Sequence, residues 1–234
     1  MRRLLITKAQ LAGPLLRLDA EQARYLTAVL RLRAGDALEL FDGLGGRYAA
    51  QLESGEMVRV GPRVAEERRA LDVTLAQGLA KGEKMDLVVQ KATELGVSRI
   101  VPLVAERSVV KLSAERGAAR TERFRRIAQE AARQCGRADV PAVDEPRSLA
   151  EVLRTDALCL VLDPAQPLRL SAAARGVSRL LLAVGPEGGF SPGELSEAQA
   201  AGALLVGLGP LVLRTETAAL AALAVLQHLH GGLG

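Results

Sequence analysis

Lysine is scarce in this chain. It stands only at Lys8, Lys81, Lys84, Lys91 and Lys111, and the other cationic side chains are arginines apart from two histidines. Cysteine is scarcer still, with only Cys135 and Cys159. Their spacing excludes a metal knuckle or a redox pair, and predicts two buried thiols in a reducing cytosol. No apolar run approaches the ~20 residues of a membrane span. The opening "MRRLLITKAQLAG" turns polar too soon for a signal peptide, so a cytoplasmic protein without a membrane partner is expected. His, Cys, Asp and Glu nowhere take metal-ligand spacing, so no metal is expected. Neither GxxxxGK[ST] nor GxGxxG occurs, which counts against a phosphate-cradling loop and a nicotinamide oxidoreductase. There is no internal repeat and no low-complexity tract.

What is present is an ordinary globular balance. The chain has 234 residues, of which 49% are hydrophobic and 25% charged, with a net charge of +4. That length holds one large domain or two modest ones. The preference for arginine suits bidentate phosphate contacts and stacking on bases, and so permits a nucleic-acid partner.

The rhythm of the chain changes near residue 70. Before it, short strand-like segments at 2–7, 15–19, 36–42, 47–53 and 57–63 alternate with Gly, Pro and Asp turns, and one amphipathic helix spans 20–31. Many short strands with regular turns predict a small barrel. The polar stretch 65–70 reads as a linker. From 71 onward, apolar runs alternate with helical patterns: a strand at 71–79, a helix at 82–96, a strand at 98–104 and a long helix within 113–135. The runs at 158–162, 179–184 and 203–208 are continuously apolar, as strands buried on both faces should be. A helix over 215–229 is apolar on most of its surface. These features predict an α/β domain with a mainly parallel sheet.

Ligands of such sheets bind beyond the carboxyl ends of the strands. Two glycine-rich loops fall there, "GPEGG" (185–189) and "GLGP" (207–210). Glycines leave room for close approach of a ligand to the backbone. Ser191-Pro192-Gly193-Glu194 is a capping box with proline at the first helical position, and Gly202 ends that helix. Glu187 would repel a polyphosphate but suits a ligand with positive charge or hydroxyl donors. In "LGPLVLRTETAAL" (208–220), a strand-like Leu-Val-Leu precedes the last helix, which Thr215 or Thr217 can cap and Glu216 favours electrostatically. Arg214 is unfavourable at a helix N-terminus unless an anion pairs with it, and Glu187, Glu216 or a substrate could do so.

Four linked segments carry a resemblance: "KGEKMDLVVQKATELGVSRIVPLVAERSVV" (81–110), "RFRRIAQEAARQCGRADVPAV" (123–143), "LLLAVGPEGGFSPGE" (180–194) and "LGPLVLRTETAAL" (208–220). With "VLRLRAGDALELFDGLGGRYAAQL" (29–52), they resemble the ribosomal RNA small subunit methyltransferase E family, of the SPOUT class. The resemblance implies a PUA-like RNA-binding β-barrel over 1–70 and a methyltransferase domain over 71–234, its C-terminus threaded into a trefoil knot. It implies a homodimer that uses S-adenosylmethionine to methylate N3 of one uridine in 16S rRNA of the small ribosomal subunit. It places the cofactor against Leu162, Asp163, Val184, Gly185, Glu187, Gly188, Gly189, Leu208, Gly209, Val212, Leu213 and Thr215. Glu187 would face either the ribose hydroxyls or the sulfonium. Tyr25, Phe124 and Leu211 depart from the residues frequent in the family at those positions.

Methylation at N3 requires an exposed base, loss of the N3 proton and in-line approach. Arg214 is the candidate for stabilising the uracil anion, with Glu216 or a water as proton acceptor. Phosphate contacts are expected from Arg2, Arg3, Arg31, Arg33, Arg133 and Arg137. Alternative readings are a SPOUT enzyme acting on another RNA, for example at a ribose 2′-oxygen, and a non-catalytic ribosome-binding factor.

Overall fold

A computed structural model describes residues 2–64, 71–108 and 114–233. The expected linker at 65–70 lies outside the described residues. The chain forms two compact units, Met1–Arg68 with Gln129–Val140, and Arg69–Ala128 with Pro141–Gly234.

The first unit is a curled five-stranded mixed sheet. Its strands are β1 (Arg3–Leu5), β2 (Leu15–Arg17), β3 (Ala37–Phe41), β4 (Arg47–Ser54) and β5 (Met57–Val64), in the order β1-β3-β4-β5-β2. The first pair is parallel and the rest antiparallel. Alternate residues such as Leu38, Leu40, Leu52 and Val58 point into one apolar core with Leu4, Ile6 and Leu16. Helix α1 (Ala20–Arg24) opens on a reciprocal cap between Asp19 and Gln22, and continues into a π turn at Tyr25–Val29. The expected helix over 20–31 is therefore helical through Val29 with its second half π-wound, and the chain leaves it through Arg31 at φ 55°.

The second unit is built on a six-stranded parallel sheet in the order β11-β9-β10-β6-β7-β8. The strands are β6 (Asp72–Gly78), β7 (Arg99–Leu103), β8 (Ala142–Val143), β9 (Leu158–Leu162), β10 (Arg179–Val184) and β11 (Leu204–Val206). The mainly parallel sheet expected from the unbroken apolar runs is present, and from Leu180 to Val184 the central strand is buried throughout. Helices α2 (Lys84–Glu94), α3 (Ala114–Cys135), α4 (Leu149–Val152), α5 (Leu170–Ala173), α6 (Pro192–Ala200) and α7 (Thr215–Leu229) complete the element order. Helix α2 buries Met85, Val88 and Ala92, spaced as one helical face, and packs on α7. On the other side, Val152 and Ala198 of α4 and α6 join Val101, Val161 and Leu181 in a second cluster.

Two expectations fail. Cys159 is buried, but Cys135, at the last residue of α3, is exposed. Leu-Val-Leu at 211–213 forms no strand: no neighbouring strand pairs with it, and Leu211 and Val212 are 74% and 81% exposed.

Gln129–Val140 belongs with the first unit for a physical reason centred on Arg3. This guanidinium has 0% exposure and caps the end of α3. Its Nη1 donates to the carbonyls of Arg137 (2.9 Å), Ala132 (3.3 Å) and Arg133 (3.4 Å), and its Nε to Glu39 (2.6 Å). A cation there satisfies orphan carbonyls and the negative end of the helix dipole. Beyond the helix, the amide of Val140 donates to the carbonyl of Gly43 (2.9 Å).

Candidate functional site

The carboxyl ends of β9, β10 and β11 come together because these strands are neighbours in register: Leu162 lies beside Val206, and Val184 ends β10. Beyond these ends a cavity of about 630 Å³ opens. All twelve residues expected at a cofactor line it, from Leu162 and Asp163 through the loop at 184–189 to 208–215, and Arg214 lines it too.

Each wall has a local cause. Ser191 Oγ accepts from the amide of Glu194 (3.1 Å) while Glu194 accepts from the amide of Ser191 (2.8 Å), so the expected capping box starts α6 at Pro192. This pins the loop after β10 from behind. Within that loop Gly189 has φ 68°, and a Cβ at Gly188 would lie 3.0 Å from Cβ of Arg107. The loop's own packing thus requires glycines that the sequence left unexplained. Gly209 is different: at φ 150° it has nothing within 4 Å of where a Cβ would sit, so its bare backbone faces open space. Asp163 is committed to its own turn, accepting from the amide of Ala165 (3.1 Å) and Nε2 of Gln166 (2.7 Å).

Sequence reasoning missed two cations. Lys84 Nζ stands 3.2 Å from Glu187 and 3.8 Å from Glu216, so one lysine serves both carboxylates. Arg107 Nη1 donates to the carbonyls of Gly188 (3.3 Å) and Phe190 (3.4 Å), bracing the glycine loop. The available signal was Lys84 itself, a rare lysine at the unfavourable end of a helix, which needs an anion. Burial alone would push the Glu187 carboxyl up. The amides of Glu187 and Lys81 and the Lys84 ammonium outweigh it and hold the carboxyl below its ordinary range.

A folded-state value depressed in this way contributes stability that is complete above the ordinary glutamate range and is lost as pH falls through the depressed value. The stability gap between the native chain and Glu187→Gln should therefore be constant at neutral pH and close in acid. Urea midpoints of both proteins across pH check this, and a gap independent of pH would refute the depressed carboxyl that the two amides and Lys84 produce.

Arg214 remains. It is the N-cap residue of α7, exposed on the pocket wall. Glu187 and Glu216, its two possible internal partners, both face Lys84 instead. Among the described residues no hydrogen bond or ion pair engages its guanidinium. Glu216 does not line the cavity; its side chain is 12% exposed, and Oε2 is buried without a hydrogen-bond partner. Thr215 does not cap the helix: Arg214 holds the N-cap position, and the Thr215 hydroxyl donates to the carbonyl of Gly185 (2.5 Å).

This geometry has close counterparts. A family profile described as an RNA methyltransferase domain matches residues 67–227, and one described as an RNA methyltransferase PUA domain matches 18–56. Ribosomal RNA small subunit methyltransferase E of Bacillus subtilis is 33% identical over 240 residues, covering 95% of this chain and 94% of its own. The chain belongs to the ribosomal RNA small subunit methyltransferase E family. The family recognised from its linked motifs is thus the right one. A methyltransferase from Legionella pneumophila, solved with bound S-adenosylmethionine, has 36% identity and a TM-score of 0.88, covering 97% of this chain and 96% of its own. Ribosomal RNA small subunit methyltransferase E of Neisseria gonorrhoeae, bound to S-adenosylmethionine, has 31% identity and a TM-score of 0.88 with 98% of each chain covered.

The expected RNA-contacting arginines fall into two groups. Arg31 and Arg33 are exposed, and Arg2 is half-exposed beside Asp36 at 3.2 Å. Arg3 is buried as the cap of α3 and is corrected to a structural role. Arg137 is held by Asp139 (2.8 Å) with its side chain 9% exposed. Arg133 lies 4.0 Å above the Tyr25 ring and pairs with Glu130, so Tyr25 serves here as a stacking platform. Phe124 is a buried core ring with the Arg120 guanidinium at 5.7 Å. Among the described residues no helix is long and apolar enough to cross a membrane, and no group of three metal-ligating side chains occurs.

Proposed function

We propose that this chain is an S-adenosylmethionine-dependent methyltransferase that methylates N3 of a uridine in 16S rRNA of the small ribosomal subunit. The observation that carries this reading is a ligand-sized pocket at three parallel strand ends, with one unpaired arginine on its wall.

The pocket fits the cofactor chemically. Leu162, Val184 and Leu213 offer apolar walls for a purine, the backbone at Gly209 is bare, and Glu187 is the lining carboxylate that would receive hydroxyl or sulfonium groups. When bound, S-adenosylmethionine supplies an electrophilic methyl group whose transfer leaves a neutral thioether. The protein's own part is positioning and charge. Leu211 and Val212, exposed on the rim, shield the reacting centre from water when RNA arrives. Arg214 pairs with the charge that spreads over O2 and O4 as N3 loses its proton. Glu216 is turned to Lys84 and lies off the cavity lining, so the N3 proton passes to water.

By the same reading, the first unit is a PUA-like RNA-binding barrel and the second a SPOUT domain with its C-terminus in a trefoil knot. The boundary in sequence falls near residue 70, with 129–140 returning to the first unit, and the protein works in the cytoplasm as a homodimer. Exposed Arg31 and Arg33 support phosphate contacts by the first unit.

The test is to incubate the protein with S-adenosylmethionine and undermethylated small subunits, digest the RNA and identify the nucleoside by mass spectrometry. N3-methyluridine is expected. A ribose-methylated product would replace the target and keep the cofactor. Cofactor binding without methyl transfer would point to a ribosome-binding factor.

A further inference from the structure

We propose that Gln77 and Thr215 are positioning residues that fix the Gly185 carbonyl at the root of the glycine loop, and thereby the affinity for the methyl donor. This rests on the assignment of the pocket to S-adenosylmethionine.

Gln77, near the end of β6, is completely buried and does not line the cavity. Its Nε2 donates to Oγ1 of Thr215 (2.8 Å) and to the carbonyl of Gly78 (3.1 Å). Oγ1 of Thr215 in turn donates to the carbonyl of Gly185 (2.5 Å). A hydroxyl carries one proton. With its lone pair receiving the Gln77 amide, that proton is committed to Gly185, and the rotor is locked. One relay therefore joins β6, the loop after β10 and the start of α7, segments far apart in sequence. Next to Gln77, a Cβ at Gly78 would collide with the backbone of Gly185 and Pro186, so the strand end bears directly on the loop.

Two features bear on what this relay does. Thr215 is the first residue of α7, its hydroxyl is spent on the Gly185 carbonyl, and Arg214, the N-cap residue, makes no side-chain cap. Gln77 Oε1 is buried with no hydrogen-bond partner. Replacing the side chain by an apolar one removes that orphan acceptor and, in the same step, the donor to Thr215 Oγ1 and Gly78, so the two changes in stability oppose each other. The relay itself is made by the nitrogen of Gln77 and not by its oxygen.

The experiment measures calorimetric affinity for S-adenosylmethionine and S-adenosylhomocysteine, with thermal midpoints of the free proteins. Gln77→Met should leave the midpoint near that of the native chain and weaken both ligands by about tenfold, the effect of losing roughly one well-placed hydrogen bond. Thr215→Val should weaken them similarly, and Thr215→Ser should restore the native affinity. If Thr215→Val does not fold, Gln77→Met carries the test alone. Unchanged affinity in Gln77→Met overturns the proposal, and so does affinity lost only in step with a falling midpoint. A native chain that binds neither ligand sinks the cofactor assignment and the relay's role with it; native binding with an indifferent Gln77→Met sinks the relay alone.

Discussion

Arg214→Ala should lower kcat for methyl transfer by roughly 10²–10³ while leaving cofactor affinity within about twofold. Among the described residues the guanidinium is the one strong donor on the pocket wall without an internal partner, since Lys84 takes both nearby carboxylates. A cation at a helix N-terminus is opposed by the helix dipole, so its position there costs stability until an anion arrives. The uracil anion, formed only as N3 loses its proton, is such an anion. An interaction made mainly with that charge lowers kcat and kcat/KM together when removed, rather than raising KM alone. Single-turnover rates on small subunits with saturating cofactor separate these cases. Arg214→Lys should recover only part of the rate, because a point charge cannot address two oxygens as a planar fork does. A kcat close to native in Arg214→Ala would remove the arginine from the chemistry. Stability should move the other way, with the alanine variant no less stable than the native chain.

What could be read from sequence follows from how local its cause was. The runs 158–162 and 179–184 are observed as Leu158–Leu162 and Arg179–Val184, residue for residue, because strands buried on both faces declare themselves by continuous apolarity. The start of α6 at Pro192 was legible because its cap is four consecutive residues. The pair Ala142–Val143 and the four-residue helices at Leu149–Val152 and Leu170–Ala173 were not, being too short to carry a period. Leu-Val-Leu at 211–213 misled because a strand needs a partner as well as apolar residues, and its side chains are spent on a rim. The change of winding at Tyr25 and the exit of the first helix are opaque for the opposite reason: nothing in 20–31 signals either, and Arg31 takes a positive φ without being glycine.

The pocket shows the same division. Its loops were found because they follow strand ends, where parallel sheets bind ligands. Lys84 and Gln77 were missed because their partners, Glu187 and Thr215, lie 103 and 138 residues further along the chain. No spacing rule spans such distances.

The second large effect is expected at Arg3, and on stability rather than on RNA. Arg3→Met should destabilise the first unit by about 3 kcal/mol, the scale for removing one partner of a buried charge pair. The cation's contacts explain the size. Its removal leaves three carbonyls at the end of α3 without their donor and takes one of two arginines from Glu39. Burial pushes the Glu39 carboxyl up, and hydrogen bonds from Arg47 and Arg3 more than reverse this, leaving it below the ordinary range. Arg47, 2.7 Å from Glu39, remains in the variant, so the loss should stay near the lower end of what an isolated buried charge costs. Methionine keeps an apolar stem in the site but loses the guanidinium that lies 4.6 Å from the Phe41 ring centroid, so the change reports the charge together with its cation–π contact. Urea unfolding gives the destabilisation; RNA binding by the folded variant gives the contrast. If Arg3 is the cap of α3, its variant binds RNA with the native salt dependence once folded. Arg31→Ala, on the exposed turn, should unfold like the native chain and reduce the slope of log affinity against log salt by about one phosphate contact. A flattened salt slope in Arg3→Met with unchanged stability would reverse the assignment and place Arg3 at the RNA surface.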